Sequence, residues 1–476
     1  MIPLHPWCSA IVMVVVARIT SITATARLEA DRQAGSNRLN ATSIITTVSP
    51  AWSLRERPPL NSMTPFRRPA MIRYLSQTIE SVHTMRTTFS FDQKRTIATL
   101  SAAIAIRMLG IFLVLPVFTL YGERLTDSRP LIGLAFGSYG LTNAMLQIPF
   151  GRLSDRFGRK PLLLISLALH GVGSVLAAVP PNIFALIAAR LIQGTGALSS
   201  VAFALVADSV DEKNRATAMA FLGASIGLSF VGGVLVGPII ADLSGYASLF
   251  WLSGLLSLLA AVYVAVAVKE PPREPTTTDV AGARPSISSV LTNPDIVKLD
   301  ICGFLMSFFM SSFFFYFPLL ARQHVPLQSY YLLLGPMLLT GIIVMFGASR
   351  ASDKGWAKTA GVASFIVLSI SGWLLFRDNG LELQIHPFTV LTIAGMLFFG
   401  GFSSLEPILP SLITKASPKT AYGTALGTYS SLQFLGSFAG GAAAGFLSTL
   451  GMGYILIALL IATVSGMLLM ATIRTV

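Results

Sequence analysis

The sequence predicts an all-helical membrane protein with twelve transmembrane helices in two related halves of six. Three observations predict this class: the composition, a regular series of apolar runs, and an internal repeat. Hydrophobic residues make up 53% of the 476 residues, charged residues only 12%, and the mean hydropathy is +0.70. Soluble domains carry roughly 25% charged residues. The composition therefore excludes an ordinary soluble domain.

The apolar runs have the length of membrane-spanning helices, which need roughly 20 mostly apolar residues. We number them segments 1 to 12, at 96–121, 130–150, 161–180, 182–206, 215–241, 246–268, 294–322, 327–349, 358–376, 387–414, 420–447 and 451–474. They lack the alternation of polar and apolar residues that is typical of transmembrane barrel strands. Helices are therefore expected throughout.

Residues 1–90 precede segment 1 and do not share its pattern. The apolar run at 9–17 is too short to span a bilayer and has the size of a signal-peptide core. The rest is rich in Arg, Ser and Thr without a period. A targeting segment is one interpretation. We favour a disordered tail, or an over-extended start with the true beginning at Met71 or Met85.

The loops predict the orientation, because Lys and Arg favour the cytoplasmic side of a membrane. With the start of segment 1 placed inside, fifteen basic residues fall in internal loops and four in external loops. The internal residues are Arg152, Arg156, Arg159, Lys160, Lys213, Arg215, Lys269, Arg273, Arg284, Lys298, Arg350, Lys354, Lys358, Lys415 and Lys419; the external residues are Arg124, Arg129, Arg322 and Arg377. Both ends of the helical body are predicted to be cytoplasmic.

The net charge of +13 taken alone would suggest a nucleic-acid partner, but the distribution of the charge does not. In the helical body the basic excess follows the loop bias, so the anionic headgroups of the lipid bilayer explain it and we expect no nucleic acid. Cys8 and Cys302 are the two cysteines, too few for a disulfide framework or a metal cluster. No phosphate-binding Gly-x-x-x-x-Gly-Lys-[Ser/Thr] loop occurs. We expect no cofactor, and energy from an ion gradient.

A short polar loop joins segments 2 and 3, with the sequence GRLSDRFGRK at 151–160. A connection this short makes the two segments antiparallel neighbours. The pattern resembles the signature loop of the major facilitator superfamily; the residues that carry the resemblance include Gly151, Asp155, Arg156, Gly158, Arg159 and Lys160. The resemblance implies a secondary transporter. From about residue 90 onwards the chain is also similar to the YajR group of this family, described as proton-driven drug efflux proteins of the bacterial inner membrane.

The predicted domains are 1–90, a first six-helix half at 91–268, a cytoplasmic linker at 269–293 and a second half at 294–476. The linker is rich in Pro, Thr, Ser and charge, which is typical of a flexible connection. The halves repeat each other: 196–200 matches 400–404, 232–237 matches 440–445, and the loop near Asp353 is a degraded copy of 151–160. Parallel repeats with a site at their interface are typical of transporters.

Ionisable residues inside the membrane are costly and usually functional. They are Arg107 in segment 1, His170 in segment 3, Arg190 in segment 4, Asp300 near the start of segment 7 and Glu406 in segment 10. We interpret His170 as a hydrogen-bonded packing residue. The others lie on segments 1, 4, 7 and 10, which the resemblance implies line the central cavity.

Glu406 is the predicted proton carrier or substrate counter-ion. Burial favours the neutral form of a carboxyl group, whereas a nearby cation favours the charged form. A conformational change that alters the distance from Glu406 to Arg107 or Arg190 would therefore load or release a proton. The alternative is a static ion pair that fixes helix packing.

Two further motifs lie in segments 4 and 5. Arg190 and Gln193 are three residues apart and so share a helix face; they resemble the family motif in which the arginine is associated with proton coupling. In segment 5, Gly233 and Gly237 allow close helix contact, and Pro238 interrupts the backbone hydrogen bonds. This pattern resembles the antiporter motif, although Ala and Asp follow where the family has a glycine pair. Packing alone is the alternative.

Asp155, Arg159 and Asp208 form a predicted conformational latch at the cytoplasmic side. The resemblance implies that Asp155 pairs with the amino end of segment 11 in the outward-open state, where the helix dipole favours a carboxylate. Arg159 then pairs with Asp208 when the halves part. The alternative is that these charges only set the topology.

These observations favour a proton-coupled exporter of small molecules in the bacterial inner membrane, with protons and a small-molecule substrate as partners. It is expected to be a monomer and not an enzyme. A facilitator or proton symporter for a sugar or organic acid is the first alternative. A membrane receptor that keeps the fold without transport is the second.

Overall fold

A computed structural model describes residues 91–210, 212–268, 292–376, 386–418 and 421–474. The predicted tail and most of the predicted linker lie outside these residues, as do the side chains at 198–200, 207–208 and 212–217. The regular elements are all helical: α1 Phe91–Val114, α2 Phe118–Gly122, α3 Arg129–Phe157, α4 Arg159–Ala178, α5 Ile183–Thr195, α6 Leu198–Ser209, α7 Glu212–Ser244, α8 Tyr246–Ala267, α9 Pro294–Ala321, α10 Tyr331–Asp353, α11 Ala357–Phe376, α12 Pro387–Ala416, α13 Tyr422–Leu447 and α14 Met452–Ala471.

The all-helical prediction is confirmed, and nine helical spans among the described residues are long and apolar enough to cross a membrane. The three predicted segments without such a span are segment 2, which is α3, segment 4, which is broken into α5 and α6, and segment 11, which is α13. Small and polar residues lower the hydropathy of α3 and α13. The count of twelve spans therefore stays a proposal.

The turn between segments 2 and 3 is tighter than predicted. The loop expected over ten residues is wrong, because α3 continues through Phe157 and α4 begins at Arg159. Gly158 alone makes the turn, with φ of 103°, a backbone conformation that glycine adopts without steric cost. Its N–H donates to Ser154 O at 3.1 Å. The predicted antiparallel arrangement of the two helices follows from this single residue.

The repeated glycine groups of the two halves both make close helix contacts, but through different members of each group. In the first half, α7 packs on α1, and a Cβ at Gly233 would lie 2.7 Å from Phe112 Cβ. In the second half, α13 packs on α9, and a Cβ at Gly440 would lie 2.8 Å from Phe308 Cα. The sequence match between 232–237 and 440–445 therefore corresponds to close helix contacts in both halves, although Gly441 and Gly445, the counterparts of Gly233 and Gly237, contact α3.

The contact between α3 and α13 is the most extensive pairing of helices across the two halves. A Cβ at Gly133 would lie 2.5 Å from Gly441 O, and one at Gly137 would lie 2.6 Å from Phe438 O. A Cβ at Gly445 would lie 2.8 Å from Gly133 Cα. The backbones therefore touch, and we call this contact the glycine seam. It lies near the start of α3, on the side of the molecule that we call the far side.

The same two helices separate towards the opposite side, which carries Gly158 and which we call the motif side. In the described part of the chain, no heavy atom lies within 4 Å of a Cβ placed at Gly151 of α3, or at Gly423 and Gly427 of α13. The two helices are therefore in backbone contact at one end and apart at the other.

Candidate functional site

Arg107 of α1 is at the centre of a polar cluster in the first half. Its side chain is 1% exposed, and its Nη2 donates to Tyr139 Oη at 3.0 Å and to Gly196 O. Its Nε and Nη1 have no hydrogen-bond partner among the described residues. A guanidinium carries five N–H donors, so this one is only partly satisfied.

Gly196 can accept from Arg107 because segment 4 is not the continuous helix that its sequence predicts. α5 ends at Thr195 and α6 starts at Leu198, with ψ of 74° at Gly196 and 62° at Ala197. The last carbonyls of a helix lack partners within it, and a cation is favourable beside them. Arg107 therefore caps the carboxyl end of α5.

Arg190 and Gln193 are brought together as their spacing predicts. Arg190 Nη1 donates to Gln193 Oε1, and Gln193 Nε2 donates to Ser174 Oγ at 2.8 Å. The Arg190 guanidinium lies 5.2 Å from the Phe118 ring centroid and 5.1 Å from that of Tyr139. Such cation–π contacts stabilise a desolvated guanidinium. Both arginines thus meet at Tyr139, a residue that the sequence did not single out.

His170 has the environment expected of a packing residue. It is fully buried, its Nε2 lies 3.3 Å from Ser253 Oγ, and its backbone carbonyl accepts from Ser174 Oγ at 2.7 Å. The histidine joins α4 to α8 within the first half.

Glu406 of α12 belongs to the second half. Its side chain is exposed, in contrast to the buried arginines of the first half. No ion pair joins it to Arg107 or Arg190 in the described part of the chain. The static ion pair considered for Glu406 is therefore not present with either arginine. The buried cations and the membrane carboxylates lie in different halves.

The arginine cluster of the first half reaches α13 of the second half through Tyr139. The Tyr139 ring lies 6.3 Å from the Phe434 ring of α13, edge to face, and a Cβ at Gly140 would lie 2.6 Å from Phe434 O. Movement at the seam must therefore displace Tyr139 relative to the second half. Sequence patterns could not find Tyr139, because a lone tyrosine in an apolar helix has no distinctive spacing.

The predicted latch is described only in part. Asp155 Oδ1 lies 2.5 Å from Arg159 Nη1, and the same nitrogen donates to Ser154 Oγ at 2.6 Å. Lys160 Nζ donates to Ala265 O of α8 at 2.7 Å. The side chain of Asp208, at the end of α6, lies outside the described residues. The relay from Arg159 to Asp208 thus stays a prediction.

The other motif residues are placed as follows. The Arg156 guanidinium lies 5.5 Å from the Phe157 ring, a contact within the turn itself. Gly237 of α7 packs directly against Leu113 O of α1, and α7 continues past Pro238 to Ser244. The packing interpretation of this motif matches these contacts, and the antiporter role stays a prediction.

A charged pair joins the halves at the far side. Glu123, beyond α2, and Arg322, beyond α9, are paired through two contacts of 2.5 and 3.3 Å. Nearby, Thr119 Oγ1 donates to Phe315 O at 2.8 Å. Both contacts cross between the halves, so they reinforce the closure made by the glycine seam.

We expect charge reversal at Glu123 to loosen this closure. Exposed pairs contribute about 0.2–1 kcal/mol, so Glu123→Arg should speed alkylation at the far side by a factor of about 1.4 to 5. The reporter is Thr119→Cys, 1% exposed in the closed form, in a chain lacking Cys8 and Cys302. The swap Glu123→Arg with Arg322→Glu should restore the original rate. An unchanged rate in the single variant would contradict the role of this pair.

The helices are long and apolar, pack as two repeated halves, and bury arginines and hydrogen-bonding groups at their centre. These features define a class of polytopic membrane transport proteins. Comparisons with known proteins identify the family. Residues 100–441 match the family described as Major Facilitator Superfamily. The inner membrane transport protein YajR of Escherichia coli (strain K12) is 36% identical over 372 residues, covering 77% of this chain and 80% of that protein.

Two further comparisons agree. The class B tetracycline resistance protein of Escherichia coli is 28% identical over 287 residues, covering 56% of this chain and 71% of that protein. The crystal structure of the human organic anion transporter MFSD10 superimposes with a TM-score of 0.60 at 19% identity, covering 79% of this chain and 99% of that chain. The chain belongs to the major facilitator superfamily and is a transporter, not an enzyme.

Proposed function

We propose that this protein is a proton-coupled exporter of small molecules that works by alternating access across a bacterial inner membrane. It would cross the membrane twelve times, with the motif side in the cytoplasm, as a monomer. The charge census of the loops supports this orientation. The domain boundaries predicted from the sequence are kept in this proposal.

The observation that carries the proposal is the divergence of α3 and α13. They touch at Gly133 and Gly441 on the far side and stand apart at Gly151 and Gly427 on the motif side. With the motif side in the cytoplasm, this arrangement corresponds to a state open to the cell interior. Rocking of the halves about the centre would part the glycine seam and bring the amino end of α13 towards Asp155.

The separation of charges supports the coupling. The guanidinium groups of Arg107 and Arg190 are held by the first half, and Glu406 is an exposed side chain of the second half. A rocking motion changes the distance between these groups, and hence the balance between the protonated and ionised forms of Glu406. Binding of protons and of substrate would alternate at this site.

Transport in proteoliposomes under an imposed pH gradient tests the proposal. Tetracycline is the first probe, since a relative is named for resistance to it, followed by a panel of lipophilic cations. Each exchanged proton allows about a tenfold accumulation per pH unit, because about 1.4 kcal/mol corresponds to a factor of ten. Glu406→Gln should reduce gradient-driven accumulation to the level of empty vesicles. Normal accumulation by this variant would exclude Glu406 as the proton carrier.

A proton symporter for an organic acid is the second candidate. Arg107 and Arg190 each have N–H groups without a hydrogen-bond partner among the described residues, and such donors would suit a carboxylate. The same vesicles distinguish the two candidates. Benzoate would accumulate in the direction of proton flow under symport, whereas an exported probe moves against that flow.

A further inference from the structure

Phenylalanine rings make a further contact between the two halves, which we call the ring cluster. The Phe230 ring of α7 lies 6.2 Å from the Phe314 ring of α9, measured between centroids. It also lies 6.0 Å from the Phe399 ring and 6.5 Å from the Phe402 ring, both of α12. Within the first half it lies 4.9 Å from the Phe112 ring of α1, edge to face. One ring of the first half therefore contacts three rings of the second.

The direction of α7 follows from its contacts with α1. Ser229 Oγ donates to Ala105 O at 2.9 Å, and eight residues further along both helices Gly237 packs against Leu113 O. The two helices therefore run parallel. Because α1 leads to α2 at the far side, α7 also ends at the far side and starts at the motif side.

The direction of α12 is the opposite. Asn293 Nδ2, at the start of α9, donates to Ala416 O, at the end of α12, at 3.0 Å. The end of α9 lies at the far side, beside Arg322. The start of α9 and the end of α12 are therefore both at the motif side.

The helix faces that carry the ring cluster continue towards the motif side as open surface. Gly227 and Gly223 precede Phe230 by three and seven residues and so share its face of α7. No neighbouring heavy atom of the described residues lies within 4 Å of a Cβ at either glycine. On α12, Glu406 follows Phe402 by four residues, ~6 Å along the axis, on the same face. Phe402 is 8% exposed, whereas Glu406 is exposed. The space between α7 and α12 therefore widens from the ring cluster towards Glu406.

The carboxylate of Glu406 has no partner of its own in the described part of the chain, where it makes neither an ion pair nor a hydrogen bond. Arg107 and Arg190 instead contact groups of α2, α3 and α5. A free carboxylate attracts a cation, and the faces of aromatic rings also attract a cation. Aromatic rings pack favourably against other aromatic rings. These residues are therefore complementary to a cation that carries aromatic rings.

We propose that Phe230, Phe402 and Glu406 bind an organic cation with aromatic rings, whose rings pack against the two phenylalanines and whose charge lies beside the carboxylate. The inference rests on the proposed export function and names its substrate class. Phe230 belongs to the first half, and Phe402 and Glu406 belong to the second. The ligand would thus contact both halves at once, so rocking of the halves would change its affinity.

Equilibrium binding of tetraphenylphosphonium to the full chain in lipid nanodiscs tests this, with binding to empty nanodiscs subtracted. Glu406→Gln should weaken binding at least about tenfold, because the attraction between opposite charges is lost. Phe230→Leu and Phe402→Leu should each weaken it about 2- to 13-fold, because a leucine cannot replace an aromatic pair. The matched control is Phe446→Leu, at a ring that is 57% exposed. It should leave binding unchanged.

A second comparison uses the unmutated chain, so it does not depend on the folding of a variant. Tetrabutylphosphonium carries the same charge without aromatic rings and should bind at least about twofold more weakly than tetraphenylphosphonium. Equal affinity for the two cations would overturn the inference. Unchanged binding of tetraphenylphosphonium in both Phe230→Leu and Phe402→Leu would overturn it as well.

Failure of this inference can be distinguished from failure of the proposed function. Accumulation of tetracycline driven by the pH gradient, without binding of tetraphenylphosphonium, would overturn the aromatic-cation site and leave proton-coupled export standing. Binding of tetraphenylphosphonium with the expected losses in the three variants, but without gradient-driven accumulation of any probe, would support the site and overturn the proton coupling.

Discussion

Gly445→Ala should hold the far side open and abolish transport. Its new Cβ would lie 2.5 Å from Arg129 O and 2.8 Å from Gly133 Cα. Both are backbone atoms, which cannot relieve the clash by a change of side-chain rotamer. Overpacking of this kind costs about 1–3 kcal/mol. In a two-state equilibrium this cost changes the ratio of the two populations by about 5–150-fold, away from the state closed at the far side.

The measurement is alkylation of Thr119→Cys together with transport in proteoliposomes. Alkylation should be at least about fivefold faster in the Gly445→Ala background. Gly453→Ala is the control, since no heavy atom of the described residues lies within 4 Å of its Cβ position. If Gly445→Ala transports normally with unchanged alkylation, the glycine seam does not act as the far-side closure.

Gly196→Ala should destabilise the first half and remove transport. Its Cβ would collide with Ser166 O of α4, and alanine favours a continuous helix over the break by about 1 kcal/mol. Straightening segment 4 would withdraw Gly196 O from Arg107. We expect the free energy of unfolding to fall by about 1–3 kcal/mol from overpacking, with a further loss because a buried donor is left without an acceptor.

Unfolding by detergent titration measures this change. The matched control is Gly171→Ala in α4, where the nearest atoms to the new Cβ are at 3.5 Å and make ordinary contacts. The control should retain its stability and its transport. Equal stability of Gly196→Ala and the control would show that the helix break is not held by the packing around Gly196.

The glycine patterns show which helix contacts the sequence predicts and which it does not. The matching groups at 232–237 and 440–445 predicted related halves, and both groups do make close helix contacts. The partner of Gly441 and Gly445 was not predictable, because their contact with Gly133 joins residues about 300 positions apart. No local pattern encodes that pairing. Long-range packing of two halves decides it.

The candidate site also contains residues that the sequence predicted and residues that it did not. The sequence identified Arg107, Arg190 and Glu406, since ionisable residues stand out in apolar segments. The static ion pair with an arginine, the alternative considered for Glu406, is not present with Arg107 or Arg190 among the described residues. Tyr139, which contacts both Arg107 and Arg190, carries no signal of its own in the sequence.

The sequence by itself determined that this protein is an all-helical membrane transporter with paired halves, because hydropathy, loop charge and helix-contact glycines are local properties. Only the tertiary structure decided where segment 4 breaks, how Gly158 turns the chain, and which side is closed. Each of these depends on contacts between helices that are distant in the chain, or on one backbone conformation within an otherwise regular run.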